Sequence, residues 1–357
     1  MKEVLILSDG RPGHFNQTLG IAEQLEDVEI KIINVHYTMH IFDFLVRISG
    51  FLYRFLPFNR QLINHILKTA LKEECYQECI SAKPALILSA GSSVAVINAL
   101  LSRFKNAKSI VCMTPAFIGT DPFDLAVVPE HDRPPDKKNI IKTIGAPNRI
   151  NKKFMEEEIR NWNRRVEFDL FSLKRPLISI LLGGSDSYFT MGTEVVARLV
   201  KEVEDFAETY NGQFLVTTSL RTPEKVENKL KSKFPDDRCP LLIIAGEWED
   251  NPVPMMVGIS DIVIVTEDSV SMISESVSGN NKVIVIGLEK KRDKKRPTYL
   301  RICELLKDRG YISFIEQEQT GTGELKRLMK KIYNAEGKRP LLDDTARVAR
   351  EIQDRFL

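Results

Sequence analysis

Short, wholly apolar runs recur along this chain, each followed by small residues and then a helical pattern, and they constrain its fold more than any other feature. The runs 4–7 (VLIL), 85–89 (ALILS), 109–113 (SIVCM) and 125–128 (LAVV) lie in the first half, with 29–35 (EIKIINV) as a further strand. A strand apolar at successive positions, rather than alternate ones, has both faces buried, as in a parallel sheet covered by helices. Helical spacing over 18–25 and from Ser93 through Arg103 supplies such covers. The stretch 148–175 is charged, with Glu156, Glu157 and Glu158 together and Arg164 beside Arg165, and reads as a solvated helix plus linker. The alternation then restarts, with strands at 177–182, 214–218, 241–245, 262–265 and 283–286 and helices over 193–210, 224–233 and 270–278. A last helix spans 343–356. At about 100–200 residues per domain, 357 residues make two domains. The expectation is two similar α/β halves with parallel sheets, 1–160 and 161–342.

Charge and cysteine usage narrow the functional classes. Lys and Arg number 51 against 49 Asp and Glu, which excludes a strongly basic nucleic-acid binder on net charge. The near-balance hides a split: residues 1–165 carry 22 basic and 18 acidic side chains, the remainder 29 and 31. Five scattered cysteines (Cys75, Cys79, Cys112, Cys239, Cys303) without a CxxC pair read as free thiols in a reducing cytoplasm. The five histidines (His14, His36, His40, His65, His131) form no metal-ligand spacing, so no metal is expected. The first apolar run ends at Ser8, too short for a secretory signal, and no stretch reaches the roughly 18 apolar residues of a spanning helix.

Three loops follow apolar strands, where open parallel sheets bind ligands. The first is Ser8-Asp9-Gly10-Arg11-Pro12-Gly13-His14. Gly10 and Gly13 permit a tight turn, and His14, at the start of the next helix, is a candidate general base. A helix-start histidine in water is the plainer reading. Arg11, Asn16 and Gln17 join it as acceptor-side candidates, with Gly91 and Ser92 after the strand 85–89. The second loop, Gly183-Gly184-Ser185, resembles an anion nest; the alternative is a tight turn with capping side chains. The third, Thr266-Glu267-Asp268-Ser269-Val270-Ser271, opens a helix that carries Glu275. Its amides suit a diphosphate, and Glu275 suits the two hydroxyls of a ribose. Thr266, Asp268, Ser269, Val270, Ser271 and Arg221 complete the donor-side candidates.

Two further segments read as surface features. Residues 41–58 (IFDFLVRISGFLYRFLPF) are rich in aromatics and place Arg47 and Arg54 on one helical face. They are either a core helix or a basic interfacial helix at an anionic membrane surface. Residues 290–296 (KKRDKKR) hold six basic residues in seven, a solvated loop or a phosphate contact.

The opening strand with SDGRPGH-x-N-Q, PEHDRP at 129–134, GAPNR at 145–149 and VTEDSVSMISE at 265–275 together resemble the mitochondrial-fission, or elongated-mitochondria, family along almost the whole chain. Its bacterial members are regarded as glycosyltransferases, of the hexosyltransferase class. Its plant members are associated with recruiting a fission GTPase. The resemblance implies a GT-B-like fold, two Rossmann-like domains facing a cleft, with the last helix crossing back onto the N-terminal domain. The N-acetylglucosaminyltransferase that completes lipid II is similar at the loop from Gly10 to His14, at Gly183 to Ser185, and at Ser269, Ser271 and Glu275. It differs at Arg11-Pro12 and in the basic rather than Gln-rich segment after the strand 283–286.

The resemblance thus implies metal-independent sugar transfer. His14 deprotonates an acceptor hydroxyl, with inversion, and the C-terminal domain holds a nucleotide-sugar co-substrate, expected to be UDP-linked, with no other cofactor. The acceptor is a glycan or lipid-linked molecule, and the protein sits in the cytoplasm or peripherally on the inner face of a membrane. A nonhydrolysing nucleotide-sugar epimerase and a noncatalytic membrane scaffold are the alternatives. An NAD dehydrogenase is disfavoured by the glycine spacing.

Overall fold

The computed structural model describes residues 1–39, 59–280, 282–291, 297–335 and 340–357. The segment 41–58 and the residues 292–296 of the basic run lie outside the described residues. The chain divides into two compact units, Met1–Arg149 with Asp343–Leu357, and Ile150–Leu342.

In the first unit six strands, β1 (Lys2–Ser8), β2 (Val28–Asn34), β3 (Leu86–Ala90), β4 (Lys108–Cys112), β5 (Leu125–Pro129) and β6 (Ile140–Thr143), form one sheet in the order β2-β1-β3-β4-β5-β6. Every pairing is parallel. β3 and β5 are buried at all positions, as their unbroken apolar sequence demands, whereas the edge strand β2 buries mainly Ile33. Side chains of β1 alternate between the two faces. Leu5 and Leu7 pack with Ile33, Leu67 and Ile97, while Val4 and Ile6 pack with Ile21, Val348 and Ile352. The last helix, Asp344–Phe356, therefore covers one face of the first sheet.

Two local readings shift. The first helix runs Pro12–Ala22 rather than 18–25. Pro12 occupies its opening turn, where a missing N–H costs nothing and φ is already helical. Gly13 thus sits inside the helix and is no turn glycine. β6 and the helices Arg60–Ala70 and Glu73–Ser81 are additions, the last two rich in polar residues that weaken the apolar signal.

In the second unit β7 (Leu177–Leu181), β9 (Gln213–Thr217), β10 (Leu241–Ile243), β11 (Ile262–Thr266), β12 (Val283–Ile286) and β14 (Ile312–Ile315) form a second parallel sheet, ordered β10-β9-β7-β11-β12-β14. In the chain order of its own strands this is 3-2-1-4-5-6, the doubly wound dinucleotide-fold order. β8 (Phe189–Thr190) and β13 (Glu289–Lys290) make a small antiparallel pair. Ile178 and Ile180 pack under the helix Thr193–Tyr210, against Leu199, Val203 and Phe206. The helices Val253–Ile259, Arg301–Asp308 and Glu324–Tyr333, and β14, complete the unit.

The charged stretch read as a solvated helix plus linker holds a packed helix, Lys152–Asn163, capped by the Asn151 side chain accepting from the Phe154 amide at 3.0 Å. It buries Ile159 and Trp162, the latter against Trp248 with ring centroids 5.2 Å apart. Its charges fill the outer face only, so composition mistook an amphipathic helix for a solvated one. No helix among the described residues is long and apolar enough to cross a membrane.

Candidate functional site

Each sheet reverses its winding direction once beside its first strand, between β1 and β3 in the first unit and between β7 and β11 in the second. At such a reversal the two adjacent loops diverge and open a crevice beyond the carboxyl ends of the strands. The singled-out loops collect at these two places.

At the first reversal, the loop after β1 turns at Gly10 (φ 77°) and enters the helix at Pro12. His14 falls in the first turn, and Cβ atoms of a helix tilt toward its N-terminus. The ring thereby returns to the loop, with Nδ1 2.9 Å from Asp9 Oδ2. The Ser93 hydroxyl donates to the same oxygen at 2.7 Å, and the Arg11 amide donates to Oδ1 at 3.2 Å. Burial pushes the Asp9 carboxyl up, but the bonds from His14 and Ser93 outweigh it and hold it at about 2. Beneath the ring, Gly91 adopts φ 81°, and a Cβ there would stand 2.5 Å from His14 Cε1. Asp9, Arg11, Tyr37, Lys72 and Ser93 line a cavity of about 600 Å³ beside this cluster.

The other acceptor-side candidates divide. Arg11 is exposed and Asn16 half-buried. Gln17 is buried against Met113, and the Ser92 hydroxyl accepts from the Ala116 amide at 2.8 Å. Those two side chains anchor structure. Two positions without a glycine's freedom, Met113 (φ 72°) and Phe117 (φ 66°), take left-handed backbone in the same loop region.

At the second reversal, the turn after β7 meets the loop after β11. The Gly183 amide donates to Thr266 Oγ1 and the Gly184 amide to Asp268 Oδ2, both at 2.8 Å. Thr266 Oγ1 donates to Asp268 Oδ1 at 2.7 Å, and Arg221 Nη2 lies 2.8 Å from Asp268 Oδ2. The Ser185 amide donates to the Arg221 carbonyl, and its hydroxyl accepts from the Met191 amide. The turn expected to cradle a phosphate therefore serves the chain's own carboxylate. Small residues are needed because a Cβ on Gly183 would meet Asp268 at 2.3 Å, and one on Gly184 the Arg221 carbonyl at 2.0 Å. The Asp268 carboxyl is raised by burial, against the pull of Thr266, the Gly184 amide and Arg221.

The helix Val270–Gly279 begins beside this network. Ser269 caps the Met272 amide at a long 3.5 Å. Opening-turn amides have no partner within a helix, and those of Val270 and Ser271 find no protein acceptor among the described residues. Ser271 is exposed, and Val270 and Ser269 are half-buried. Glu275, one turn further on, is buried with no hydrogen-bond partner among the described residues, and burial pushes its carboxyl from 4.5 to about 7. Glu267, not singled out from sequence, is likewise raised to about 7 by burial, although it accepts from the Leu288 amide at 2.7 Å.

Asp9 and Ser93 are the other residues that sequence reasoning passed over. Asp9 lies in the first loop, and its contact with Ser93 joins residues 84 apart. Of the remaining motifs, 145–149 is structural. Asp344 accepts from the Ile144 and Gly145 amides, Thr345 from the Asn148 amide, and Arg149 pairs with Glu23 at 2.7 Å. The five cysteines are buried and unbridged, and among the described residues no cluster of three metal-binding side chains forms.

A family model described as mitochondrial fission ELM1 matches residues 12–356. The chain is 25% identical over 189 residues to the mitochondrial fission protein ELM1 of Arabidopsis thaliana, which is 47% of this chain and 43% of that protein, less than half the relative's length. It is 22% identical over 318 residues to an uncharacterized protein of Rickettsia prowazekii, 79% of this chain and 82% of the other. Among solved structures it is similar to the UDP-GlcNAc 2-epimerase of Methanocaldococcus jannaschii (TM-score 0.57, 15% identity, 99% of this chain and all of that one). It is also similar to the Neisseria meningitidis UDP-GlcNAc 2-epimerase bound to UDP-GlcNAc (0.54, 13%, 99% and 100%). A third likeness is to the glycotransferase of kitacinnamycin (0.51, 10%, 99% and 94%). At these identities the likeness is one of fold, two parallel-sheet α/β domains of the GT-B kind.

Proposed function

The chain belongs to the mitochondrial fission ELM1 family, and we propose that it is a metal-independent glycosyltransferase that moves a sugar from a UDP-linked donor to a hydroxyl acceptor. The second unit binds the donor. One observation carries this reading: among the described residues, the helix Val270–Gly279 offers opening-turn amides without protein acceptors and, one turn on, the buried carboxyl of Glu275 without a hydrogen-bond partner. Opening-turn amides and the helix dipole suit a diphosphate. An unpartnered buried carboxyl suits a pair of ribose hydroxyls, whose bonds would relieve its desolvation.

Arg221 holds Asp268 at the Gly183–Gly184 turn and leaves its half-exposed guanidinium beside the phosphate position. It supplies positive charge to the leaving diphosphate. In the first unit His14 removes the acceptor proton, and transfer proceeds with inversion. The aromatic and basic sequence at 41–58 supports a lipid-linked acceptor and a peripheral seat on the inner face of a membrane.

Calorimetry with UDP, GDP, CDP and ADP tests the donor assignment, with UDP expected as the one clear binder. No binding to any of the four sinks it and leaves a noncatalytic scaffold. A second reading draws on the named epimerases among the similar folds. A free sugar nucleotide epimerised without acceptor would select it.

A further inference from the structure

We infer that Asp9 is a positioning residue that holds the His14 ring in its Nδ1–H tautomer and so leaves the Nε2 lone pair to take a proton; Ser93 and Gly91 fix the pair. The inference deepens the role proposed for His14 and rests on that reading for its chemistry, though not for its geometry.

The argument begins with the proton in the His14–Asp9 bond. Nδ1 and Oδ2 stand 2.9 Å apart. An ionised carboxylate only accepts hydrogen bonds, and Asp9 ionises at about 2. At neutral pH the shared proton therefore belongs to Nδ1. A neutral imidazole has one N–H, so its other nitrogen, Nε2, carries the lone pair. The ring is a base at one defined atom.

The carboxylate itself is held from three elements. The loop after β1 supplies the Arg11 amide to Oδ1. The helix Ser92–Lys105 supplies the Ser93 hydroxyl to Oδ2, and the helix Pro12–Ala22 supplies His14. A carboxylate with three donors in place has little freedom to swing away. The Ser93 bond crosses the sheet reversal, so it ties the two loops that frame the crevice. Gly91 closes the arrangement from below. Its φ of 81° and the 2.5 Å separation that a Cβ would have from Cε1 mean that only glycine lets the ring lie where Asp9 can reach it.

The position also makes sense of the cavity. Asp9 and Ser93 both line the space of about 600 Å³ shared with Arg11, Tyr37 and Lys72. A ligand there meets Asp9, the one acidic side chain among the described lining residues, already committed to His14 and Ser93. When His14 takes a proton, the ring becomes a cation beside that carboxylate, which stabilises the imidazolium without moving the proton onto Asp9.

Nitrogen NMR of the ¹⁵N-labelled full chain reads the tautomer directly. With five histidines, long-range ¹H–¹⁵N correlations assign His14 by loss of its signals in His14→Gln. At pH 7.5 and above, wild type is expected to show Nδ1 protonated and Nε2 bare. Asp9→Asn is expected to lose that preference, and Ser93→Ala to keep it. A wild-type ring protonated at Nε2, or shifts unchanged in Asp9→Asn, overturns the inference, and the wild-type spectrum decides even if a variant fails to fold. With the donor that calorimetry names, Asp9→Asn should lower kcat by about 10²–10⁴-fold and leave the donor Kd within twofold. An unchanged kcat overturns the positioning role. Failure of every nucleotide to bind removes the transfer reading and leaves the tautomer result standing.

Discussion

At the reversal of the first sheet, Asp9 reaches outward to a histidine ring; at the reversal of the second, Asp268 turns inward to the Gly184 amide and to Arg221. Both carboxylates follow a short apolar strand, and both tie one loop to the loop across the crevice. Asp9 keeps a low ionisation because its donors outweigh its burial, whereas burial prevails at Asp268. On the proposed reading the first place moves a proton, while the second holds its own loops close and, among the described residues, leaves the next helix N-terminus open. The same strand-and-turn scaffold thus supports different chemistry according to which polar group the turn admits.

Removing the proton-moving group separates the two places most sharply. His14→Ala should lower transfer by about 10²–10⁴-fold while calorimetry returns an unchanged donor affinity; equal turnover would dissolve the contrast. Gly91→Ala is expected next. The Cβ displaces the ring and strains the left-handed backbone, so activity should fall toward that of His14→Ala, with about 1–2 kcal/mol of stability lost in urea unfolding. Full activity would show that the ring is free to move.

At the second place, Glu275→Gln should weaken donor binding by about tenfold or more, as the loss of hydrogen bonds to a charged group does. It should also change the pH dependence of stability. The folded carboxyl ionises at about 7 and the unfolded one at 4.5, so between those values the folded state keeps a proton that the unfolded state has lost. Stability contributed by this group therefore falls as pH rises from about 4.5 to 7 and is level above. Urea midpoints across that window should slope less in Glu275→Gln, with Glu267 and Asp268, both raised by burial, contributing to what remains. The smallest effect belongs to the 145–149 motif. Arg149→Ala should cost less than about 1 kcal/mol and leave turnover intact, because its half-buried pair with Glu23 is structural. A tenfold loss of activity would bring that motif into the chemistry.

The apolar runs 4–7, 85–89 and 177–182 made the parallel sheets legible, because successive apolar residues tolerate few other environments. The loops after β1 and β11 were legible as turns beyond the carboxyl ends of apolar strands, where the sheets reverse, whereas the bond from His14 to Asp9 was not. The polar helices Arg60–Ala70 and Glu324–Tyr333 were not, since their buried residues are few and widely spaced. The 152–163 helix was legible as a helix, but its packing was not, for the same reason.

Sequence alone determined that the chain builds two α/β halves with parallel sheets, because burial on both faces is a property of each strand's own residues. Only the tertiary structure decided what the turns do. Whether Gly183 and Gly184 face a phosphate or Asp268, and whether His14 stands in water or against an Asp9 held by Ser93, depends on which strand lies beside which. That neighbour is fixed by the order of the sheet, and hydrogen bonds across 84 residues leave no local signature in the chain.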